Sequence, residues 1–476
     1  MNAQIVKLFG LVVVLYGLLL FFTSYWSIFD AEGLEQNTAN RRPLLEEQQI
    51  RRGDILAADG RTVIARSNPR GSGSTRFFVR TYPQGALYGN PVGYNFVERG
   101  RVGIELSHND ELIGEKTEFL SILDQLQGNA QEGSALVSSL DPEAQRVALE
   151  GLGGQRGSVV AIVPDTGEVR AMVSVPTFDP NLVPDRFQRL NSDPNAPLFN
   201  RATQAGYQPG SAMKVVAATA ALDSGEFEPD SVVNGDTGIP ISGVPLSNAG
   251  GQSFGPIALT DALTNSVNTV WAQVAEELGT ETMLRYMERF GFSQRPPLDY
   301  PEFQLATSGV FEGRRLLDEA DTIDIGRVAI GQERLKVTPL QMAMVVAAVA
   351  NGGELMEPRL WSRVIDPDGR VERLDPERRN RVMSEETAET LTAMMTDVVN
   401  EGTGTAAALS GVDVAGKTGT AEIDVAGGVN QAWFIGFAPA DDPEIAVAVT
   451  IERTSGFGGT VAAPIAADVM EVLIGD

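Results

Sequence analysis

The chain contains no cysteine and only one histidine among its 476 residues. The absence of cysteine excludes disulfide bonds and thiolate nucleophiles. A single histidine cannot form a cluster of imidazole ligands, and a Ser-His-Asp triad would need that one residue, His108. We interpret His108 as a surface or interdomain residue, and we predict neither a metal site nor a cofactor.

Basic side chains are scarce, and most of them are arginine. Lys and Arg together number 37 against 63 Asp and Glu, which gives a net charge of −26. This balance argues against nucleic acid as a partner, because a nucleic-acid surface needs basic groups to displace counterions. Arginine does not release its proton in a protein, whereas a desolvated lysine can act as a base. The lysines are Lys7, Lys116, Lys214, Lys336 and Lys417.

A long apolar run lies near the amino terminus. Residues 8–22 are uninterruptedly apolar, and apolar residues continue to Phe29. Because about 20 such residues span a bilayer core, we predict a single-pass transmembrane anchor at residues 8–29. A cleaved signal peptide is the alternative, but bulky residues follow the run where a peptidase requires small ones. We expect residues 1–7 to be a short cytoplasmic tail and the bulk of the chain to lie outside the membrane.

Two domains of different character are predicted after the anchor. Residues 30–133 are polar and turn-rich, with two strands around an Asp-Gly turn in residues 52–65 and extended pieces at 80–83 and 103–106. This pattern predicts a small, mostly-β pedestal or dimerisation-type domain. Residues 134–476 are predicted to form the second domain.

The second domain mixes strands with apolar helices. Residues 165–167 form an Asp-Thr-Gly turn between two strands, which indicates a hairpin. Residues 294–313 contain several prolines and are interpreted as a loop on the substrate side. The fold class predicted is α+β, with a helix-covered antiparallel sheet. Strands are predicted at 158–163, 169–175, 432–438 and 444–452, and helices at 142–152, 338–350 and 385–399.

Ser211 and Lys214 form an S-x-x-K motif. Pro209 and Gly210 precede Ser211, and an alanine-rich helix is predicted to follow from residue 212. Ser211 would then lie at a helix amino terminus, where free backbone N–H groups favour a developing oxyanion. A spacing of three brings Lys214 onto the same helix face, where apolar neighbours would desolvate it and favour the neutral amine. A helix-capping serine beside a surface lysine is the alternative.

Two further short motifs complete a candidate acyl-transfer site. Residues 266–268, Ser-Val-Asn, supply a hydroxyl for proton relay and an amide to hold a substrate carbonyl. Residues 417–420, Lys-Thr-Gly-Thr, precede a predicted strand pair whose edge could accept an extended peptide.

Residues 411–418 also match the nucleotide-binding pattern G-x-x-x-x-G-K-T. That alternative requires a helix straight after Thr418. Instead Gly419 follows, and the next segment alternates like a strand. Asp413 would also place a carboxylate inside a phosphate cradle, so we reject a phosphate-binding loop.

With these three motifs, the chain resembles the penicilloyl-serine transferase superfamily, and further matches make it similar to class B penicillin-binding proteins. The middle residue of the second motif, Val267, departs from the polar residue frequent in that family. The further matches are Tyr-Gln-Pro-Gly-Ser at 207–211, Arg-Gly-Asp-Ile at 52–55, Gly-Ile-Glu at 103–105, Gly-Gln at 331–332, Thr-Pro-Leu-Gln at 338–341 and Ala-Trp-Phe at 432–434.

The resemblance implies a membrane-anchored peptidoglycan D,D-transpeptidase that beta-lactams inhibit. Ser211 would attack the penultimate D-alanine carbonyl of a stem peptide, Lys214 would act as its base and Ser266 would shuttle protons. The backbone N–H groups of Ser211 and Thr420 would form the oxyanion hole. Substrate-binding residues would be Asn268, Lys417, Thr418, Gly419 and Thr420.

The partners implied are peptidoglycan stem peptides, beta-lactams and a polytopic membrane glycan polymerase. Two alternatives stay open at this point. One is a beta-lactamase or D,D-carboxypeptidase on the same fold, which differs in how water clears the acyl-enzyme. The other is a non-catalytic activator of the glycan polymerase, acting through the anchor and the region around Arg52.

Overall fold

The computed structural model describes residues 2–26, 45, 47–72, 76–114, 131–424 and 426–475. Its α-helices are α1 Asn2–Ser24, α2 Gly89–Val92, α3 Ile104–Ser107, α4 Asn109–Ile113, α5 Pro142–Leu152, α6 Val183–Ser192, α7 Arg201–Gln204, α8 Lys214–Asp223, α9 Leu259–Thr264, α10 Asn268–Arg289, α11 Ile325–Ala329, α12 Pro339–Ala350, α13 Glu385–Asn400 and α14 Ala463–Leu473.

The strands belong to two large sheets and several short pairs. They are β1 Ile55–Leu56, β2 Val63–Arg70, β3 Phe77–Thr81, β4 Tyr94–Phe96, β5 Gly100–Val102, β6 Ala135–Ser138, β7 Gly157–Ile162, β8 Val169–Val175, β9 Val232–Asn234, β10 Ile239–Ile241, β11 Val244–Leu246, β12 Pro256–Ala258, β13 Gly309–Glu312, β14 Arg315–Leu316, β15 Leu335–Lys336, β16 Glu354–Met356, β17 Trp361–Ile365, β18 Val371–Arg373, β19 Arg378–Arg381, β20 Ala415–Asp424, β21 Val429–Ala438 and β22 Ile445–Thr454.

Helix α1 is long and apolar enough to cross a membrane. The apolar span Ala3–Ser24 covers 22 residues, its most apolar stretch has a mean hydropathy of 2.6, and no residue of that stretch is buried. The predicted anchor began at residue 8, but the helix begins at Asn2 and includes Lys7. Residues 27–29 of the predicted span lie outside the described residues.

A six-stranded sheet joins the amino-terminal part to the rest of the chain. Its order is β18-β17-β6-β1-β2-β3. Strands β1 and β2 pair antiparallel around the Asp-Gly turn, as predicted, while β1 also runs parallel to β6. Strand β6 pairs on its other side with β17, more than 200 residues later in the sequence. Strands from both sides of residue 133 therefore share one sheet.

The prediction of an extended piece at residues 103–106 is wrong, because helix α3 occupies Ile104–Ser107. The helical turn directs Glu105 into the interior, where its carboxylate accepts hydrogen bonds from Arg52 Nε at 2.7 Å and Arg80 Nε at 2.6 Å. The buried ion triad of Glu105 with Arg52 and Arg80 accounts for the helical turn, and it outweighs the extended preference of the local sequence.

We interpreted residues 294–313 as a loop on the substrate side, and the structure shows that part of this segment contacts the amino-terminal part of the chain. Gln304 Oε1 accepts a hydrogen bond from the Gly103 N–H at 2.8 Å, and the Tyr300 hydroxyl donates to the Asn90 carbonyl at 2.7 Å. The loop therefore packs against the amino-terminal part. Its prolines indicated irregular structure but not the surface that it covers.

His108 lies at the same junction, in agreement with the interdomain interpretation. It is buried, its ring centroid is 5.4 Å from that of Trp361, and its Nε2 is 3.4 Å from Asp299 Oδ2.

The second sheet has five antiparallel strands in the order β20-β21-β22-β7-β8. Side chains alternate between its two faces: Val159 and Ala161 join one apolar cluster, with α5 and α14, while Val160 and Ile162 join another, with α8 and α12. The sheet is thus covered by helices on both faces, and the predicted α+β architecture is confirmed. The predicted hairpin of β7 and β8 and the late strands β21 and β22 are also confirmed.

Candidate active site

The loop before α8 carries Ser211 against the edge of the five-stranded sheet. Ser211 lies in a 3₁₀ turn, Gly210–Met213, and the α-helix begins at Lys214 rather than at the predicted residue 212. Gly210 has a φ of +54°, and a Cβ there would lie 2.6 Å from the carbonyl carbon of Thr420. A glycine is required because the turn and strand β20 make backbone contact at this point.

Lys214 is completely buried and is surrounded by hydrogen-bond acceptors. Its Nζ donates to the Ser266 carbonyl at 2.6 Å, to Asn268 Oδ1 at 2.7 Å and to Ser266 Oγ at 3.2 Å. Burial, followed by the nearby Lys417 charge, holds the pKa of Lys214 well below its usual range. The desolvation of Lys214 that the sequence predicts is therefore present, and it lowers the pKa in the direction that favours a base.

Among the described residues, no hydrogen bond joins Lys214 Nζ to Ser211 Oγ. The Lys214 amine contacts Ser266 and Asn268 instead. In structures without substrate, catalytic hydrogen bonds are often long and close only in the complex.

Ser266 occupies the short turn between α9 and α10. Its φ of +56° is unusual for a residue with a Cβ and is the kind of strain that functional sites retain. Ser266 Oγ accepts hydrogen bonds from two lysines, Lys214 at 3.2 Å and Lys417 at 2.9 Å. Val267 is buried and its N–H donates to the Ala262 carbonyl, so this departure from the family pattern packs into the core.

Lys417 to Thr420 lie within strand β20, whereas we had predicted that they precede a strand pair. The strand is at the edge of its sheet and pairs with β21. A strand running through Thr418 also removes the helix that a phosphate-binding loop would need at that position. The edge position agrees with the predicted capacity to accept an extended peptide.

Lys417 is also fully buried. Its Nζ donates to Ser266 Oγ and, at 3.1 Å, to the Thr418 carbonyl. Burial lowers its pKa from 10.5 to about 7. The ammonium form is therefore poorly stabilised, and an anion placed beside it would restore that form.

The neighbouring residues of β20 have separate contacts. Thr418 Oγ1 lies 2.6 Å from Thr403 Oγ1, and Thr420 Oγ1 accepts a hydrogen bond from the Gly458 N–H at 3.2 Å. A Cβ on Gly419 would lie 2.9 Å from the Cβ of Trp433. Gly419 therefore has a packing role that its assignment as a substrate-binding residue did not include.

Three contributors to the site were not assigned a role from the sequence. Thr403 contacts Thr418, and nothing local in its sequence pointed to this. Asn248 Oδ1 accepts from the Thr269 N–H at 3.0 Å and so supports the start of α10. Gly331 belongs to a family match, and its carbonyl accepts from the Gly210 N–H at 3.1 Å.

Across the described ranges, no three Asp, Glu or His side chains are grouped so that they could hold a metal ion. The site consists of hydroxyl, amine and amide groups from residues 211, 214, 266, 268 and 417–420.

Comparison with models of known protein families shows which family this chain belongs to. A model described as the penicillin binding protein transpeptidase domain matches residues 157–471, and one described as the penicillin binding protein A dimerisation domain matches residues 52–136. The chain belongs to the penicillin-binding protein transpeptidase family. The predicted membership in this family is therefore confirmed.

Relatives of known name and structure extend over almost the whole chain. The peptidoglycan D,D-transpeptidase PbpA of Mycolicibacterium smegmatis is 33% identical and covers 98% of this chain and 97% of its own. Penicillin-binding protein A of M. tuberculosis, solved as a ceftriaxone acyl-enzyme complex, is 30% identical with a TM-score of 0.81, over 90% of this chain and 100% of that one. Its penicillin G acyl-enzyme complex gives a TM-score of 0.78 at 30% identity, over 88% and 99%.

Proposed function

We propose that this chain is a peptidoglycan D,D-transpeptidase that cross-links stem peptides through an acyl-Ser211 intermediate and is inhibited by beta-lactams. Relatives along its full length carry this name, and related structures hold beta-lactams as acyl-enzymes. The observation that carries the proposal is the hydroxyl of Ser266, which accepts hydrogen bonds from buried lysines of both other motifs.

Acylation begins at Ser211. Its Oγ bonds to the penultimate D-alanine carbonyl carbon while its proton passes to the neutral amine of Lys214. The oxyanion is stabilised by the N–H groups of Ser211 and Thr420. When the intermediate collapses, the C–N bond breaks, and a proton relayed from Lys214 through Ser266 leaves with the terminal D-alanine.

Deacylation runs the same path in reverse with a different amine. An amine of a neighbouring stem peptide attacks the ester carbonyl and loses a proton through Ser266 to Lys214. The new amide bond is the cross-link, and Ser211 recovers its proton. Attack by water in place of the amine would make the protein a carboxypeptidase or beta-lactamase.

The substrate is held on both sides of the reacting bond. Asn268 orients the stem-peptide amide, and Lys417 and Thr418 bind the terminal carboxylate. In the unliganded site the pKa of Lys417 is about 7. A bound carboxylate raises that pKa, so Lys417 takes up a proton and becomes an ammonium group. Gly419 contributes to the substrate-binding strand by letting the nucleophile loop and Trp433 pack closely against β20, since a Cβ there would lie 2.4 Å from the Pro209 carbonyl oxygen.

The domain and membrane arrangement belongs to the same proposal. Residues 1–7 form a cytoplasmic tail, 8–29 the anchor, 30–133 the pedestal and 134–476 the transpeptidase domain outside the membrane. A polytopic glycan polymerase that supplies uncross-linked strands is the expected partner of the anchored chain. The support for this arrangement is the apolar helix α1 and the dimerisation-domain match.

The test is mass spectrometry of the full chain in detergent after incubation with benzylpenicillin. We expect an adduct that maps to Ser211, is lost slowly, and is absent from Ser211→Ala. The exposed serine of α6 gives a matched control, Ser192→Ala, which should form the adduct normally. No adduct on the folded chain would refute acylation, and rapid penicillin destruction would identify a beta-lactamase.

A further inference from the structure

The carboxylate of Glu452 collects contacts from three separate parts of the chain. Glu452 lies near the end of β22, and its side chain is 15% exposed. Oε1 accepts a hydrogen bond from Arg201 Nε at 2.8 Å and another from the Tyr207 hydroxyl. Oε2 lies 3.4 Å from Arg156 Nε. The catalytic roles proposed above do not use this group.

Tyr207 connects this carboxylate to the nucleophile loop. It lies four residues before Ser211, and its ring contacts that of Trp433 at a centroid distance of 6.1 Å. Burial, and then the charge of Glu452, raises the pKa of the Tyr207 hydroxyl, so that it stays a hydrogen-bond donor. A hydrogen bond to an ionised acceptor is stronger than one between neutral groups.

Apart from the Gln208 side chain, whose Nε2 donates to the Glu333 carbonyl at 2.6 Å, the other hydrogen bonds that restrain this loop involve its backbone. The Tyr207 N–H and carbonyl pair with Val337 at 2.9 and 2.8 Å, Trp433 Nε1 donates to the Gln208 carbonyl at 3.0 Å, and the Gly210 N–H donates to Gly331. The bond from Tyr207 to Glu452 ties the loop to β22, two strands from β20. Strand β20 of the same sheet carries the Thr420 N–H that is proposed for the oxyanion hole. One sheet therefore positions both the nucleophile loop and this donor.

We propose that Glu452 is a positioning residue that holds Ser211, through Tyr207, in the geometry needed for attack. This inference rests on the proposed role of Ser211 as the nucleophile. Arg201 holds the Glu452 carboxylate in place, because its guanidinium is anchored separately on the carbonyls of Asn195 at 2.8 Å and Ala196 at 3.2 Å. A small displacement of a nucleophile slows the chemical step without weakening binding.

The experiment compares acylation kinetics of the full chain with a fluorescent penicillin. The acylation rate constant k2 and the dissociation constant K are measured separately for wild type, Tyr207→Phe, Glu452→Gln and the double variant. We expect each single variant to lower k2 about 10-fold with K unchanged, as for loss of one charge-assisted hydrogen bond. The double variant should be no slower than Glu452→Gln, because both changes remove the same link.

A matched control is Glu354→Gln. Glu354 Oε1 also accepts from two arginines, Arg378 at 2.8 Å and Arg381 at 2.6 Å, but it lies on β16, away from the site. We expect k2 to be unchanged there. Tyr207→Phe removes a single oxygen, and its melting temperature reports whether the fold is retained.

The outcomes separate this inference from the proposed function. An adduct on wild type with k2 within twofold in both single variants overturns the positioning role and leaves the nucleophile assignment standing. Multiplicative losses in the double variant also overturn it, because they show two independent effects. Absence of any adduct on wild type overturns both proposals.

Discussion

Lys214 and Lys417 are both buried, but their surroundings favour different protonation behaviour. Lys214 is surrounded by three oxygen acceptors and has its pKa held well below the usual range by burial and then by the Lys417 charge. Lys417 has its pKa lowered to about 7 by burial alone. The first environment favours a base that stays neutral, and the second favours an amine that becomes charged when a carboxylate arrives. Lysine is thus suited to the proposed role of base at position 214 and to the proposed role of carboxylate ligand at position 417.

The lowered pKa of Lys417 links folding to pH. The unfolded chain binds this proton below pH 10.5 but the folded chain only below about pH 7, so stability falls as pH falls through that window. We expect the unfolding free energy of wild type to drop by about 2 kcal/mol relative to Lys417→Met between pH 9 and pH 7. Urea titrations at the two pH values measure this.

The exposed Lys336 provides the control for that experiment. The Lys336→Met variant should follow wild type at both pH values, because its amine is in water in the folded and unfolded chains. If the unfolding free energies of wild type and Lys417→Met change equally between pH 9 and pH 7, Lys417 already carries its proton in the folded chain at pH 9.

At the scale of single elements, glycines determine how closely the nucleophile turn approaches its neighbours. Gly331 has a φ of +74°, and a Cβ there would lie 2.6 Å from the carbonyl carbon of Gly210. Gly210 in turn meets Thr420. The 3₁₀ turn of Ser211 is therefore held between the loop at Gly331 and strand β20 by backbone contact on both sides.

We predict that Gly331→Ala displaces the nucleophile turn. Acylation by benzylpenicillin should slow about 100-fold, because a misplacement on the order of 1 Å has that effect. The control is Gly225→Ala, with a nearly identical φ of +75° but nothing within 4 Å of the added Cβ. It should lose about 1 kcal/mol of stability from backbone strain and keep its acylation rate. Equal rates in the two variants would show that the close contact is not needed.

On the scale of the whole molecule, the amino-terminal part is joined to the transpeptidase part by shared structure. Strand β6 places strands from both in one sheet, and Tyr300 and Gln304 reach across to Asn90 and Gly103. The buried triad of Arg52, Glu105 and Arg80 lies on the amino-terminal side of this junction. Burial opposes ionisation of Glu105, but the two arginine charges outweigh it and lower its pKa.

Neutralising the triad should destabilise the fold. Glu105→Gln leaves two buried guanidinium groups without a counter-charge, so we expect the unfolding free energy to fall by about 3 to 5 kcal/mol. Urea unfolding of the full chain in detergent measures the change. The exposed Glu98→Gln in the same region should change stability by less than about 0.5 kcal/mol. A similar small loss for both would show that the triad contributes little to stability.

The sequence by itself determined the features that depend on neighbouring residues. The hairpin of β7 and β8, the start of α5 at Pro142 and the apolar run of α1 follow from turn residues, a proline in the first helical turn and composition. The three motifs and the other family matches were sufficient for the family and the fold class, and they named a set of site residues that the structure brings close together.

Only the tertiary structure decided how those residues meet. Ser266 and Lys417 are 151 positions apart, yet they share a hydrogen bond, and the contact of Tyr207 with Glu452 spans 245 positions. The helical turn at Glu105 was missed for the same reason, since arginines distant in sequence stabilise it. Local patterns reflect backbone preferences and burial, whereas the partner of a buried polar group is set by which elements the fold places together.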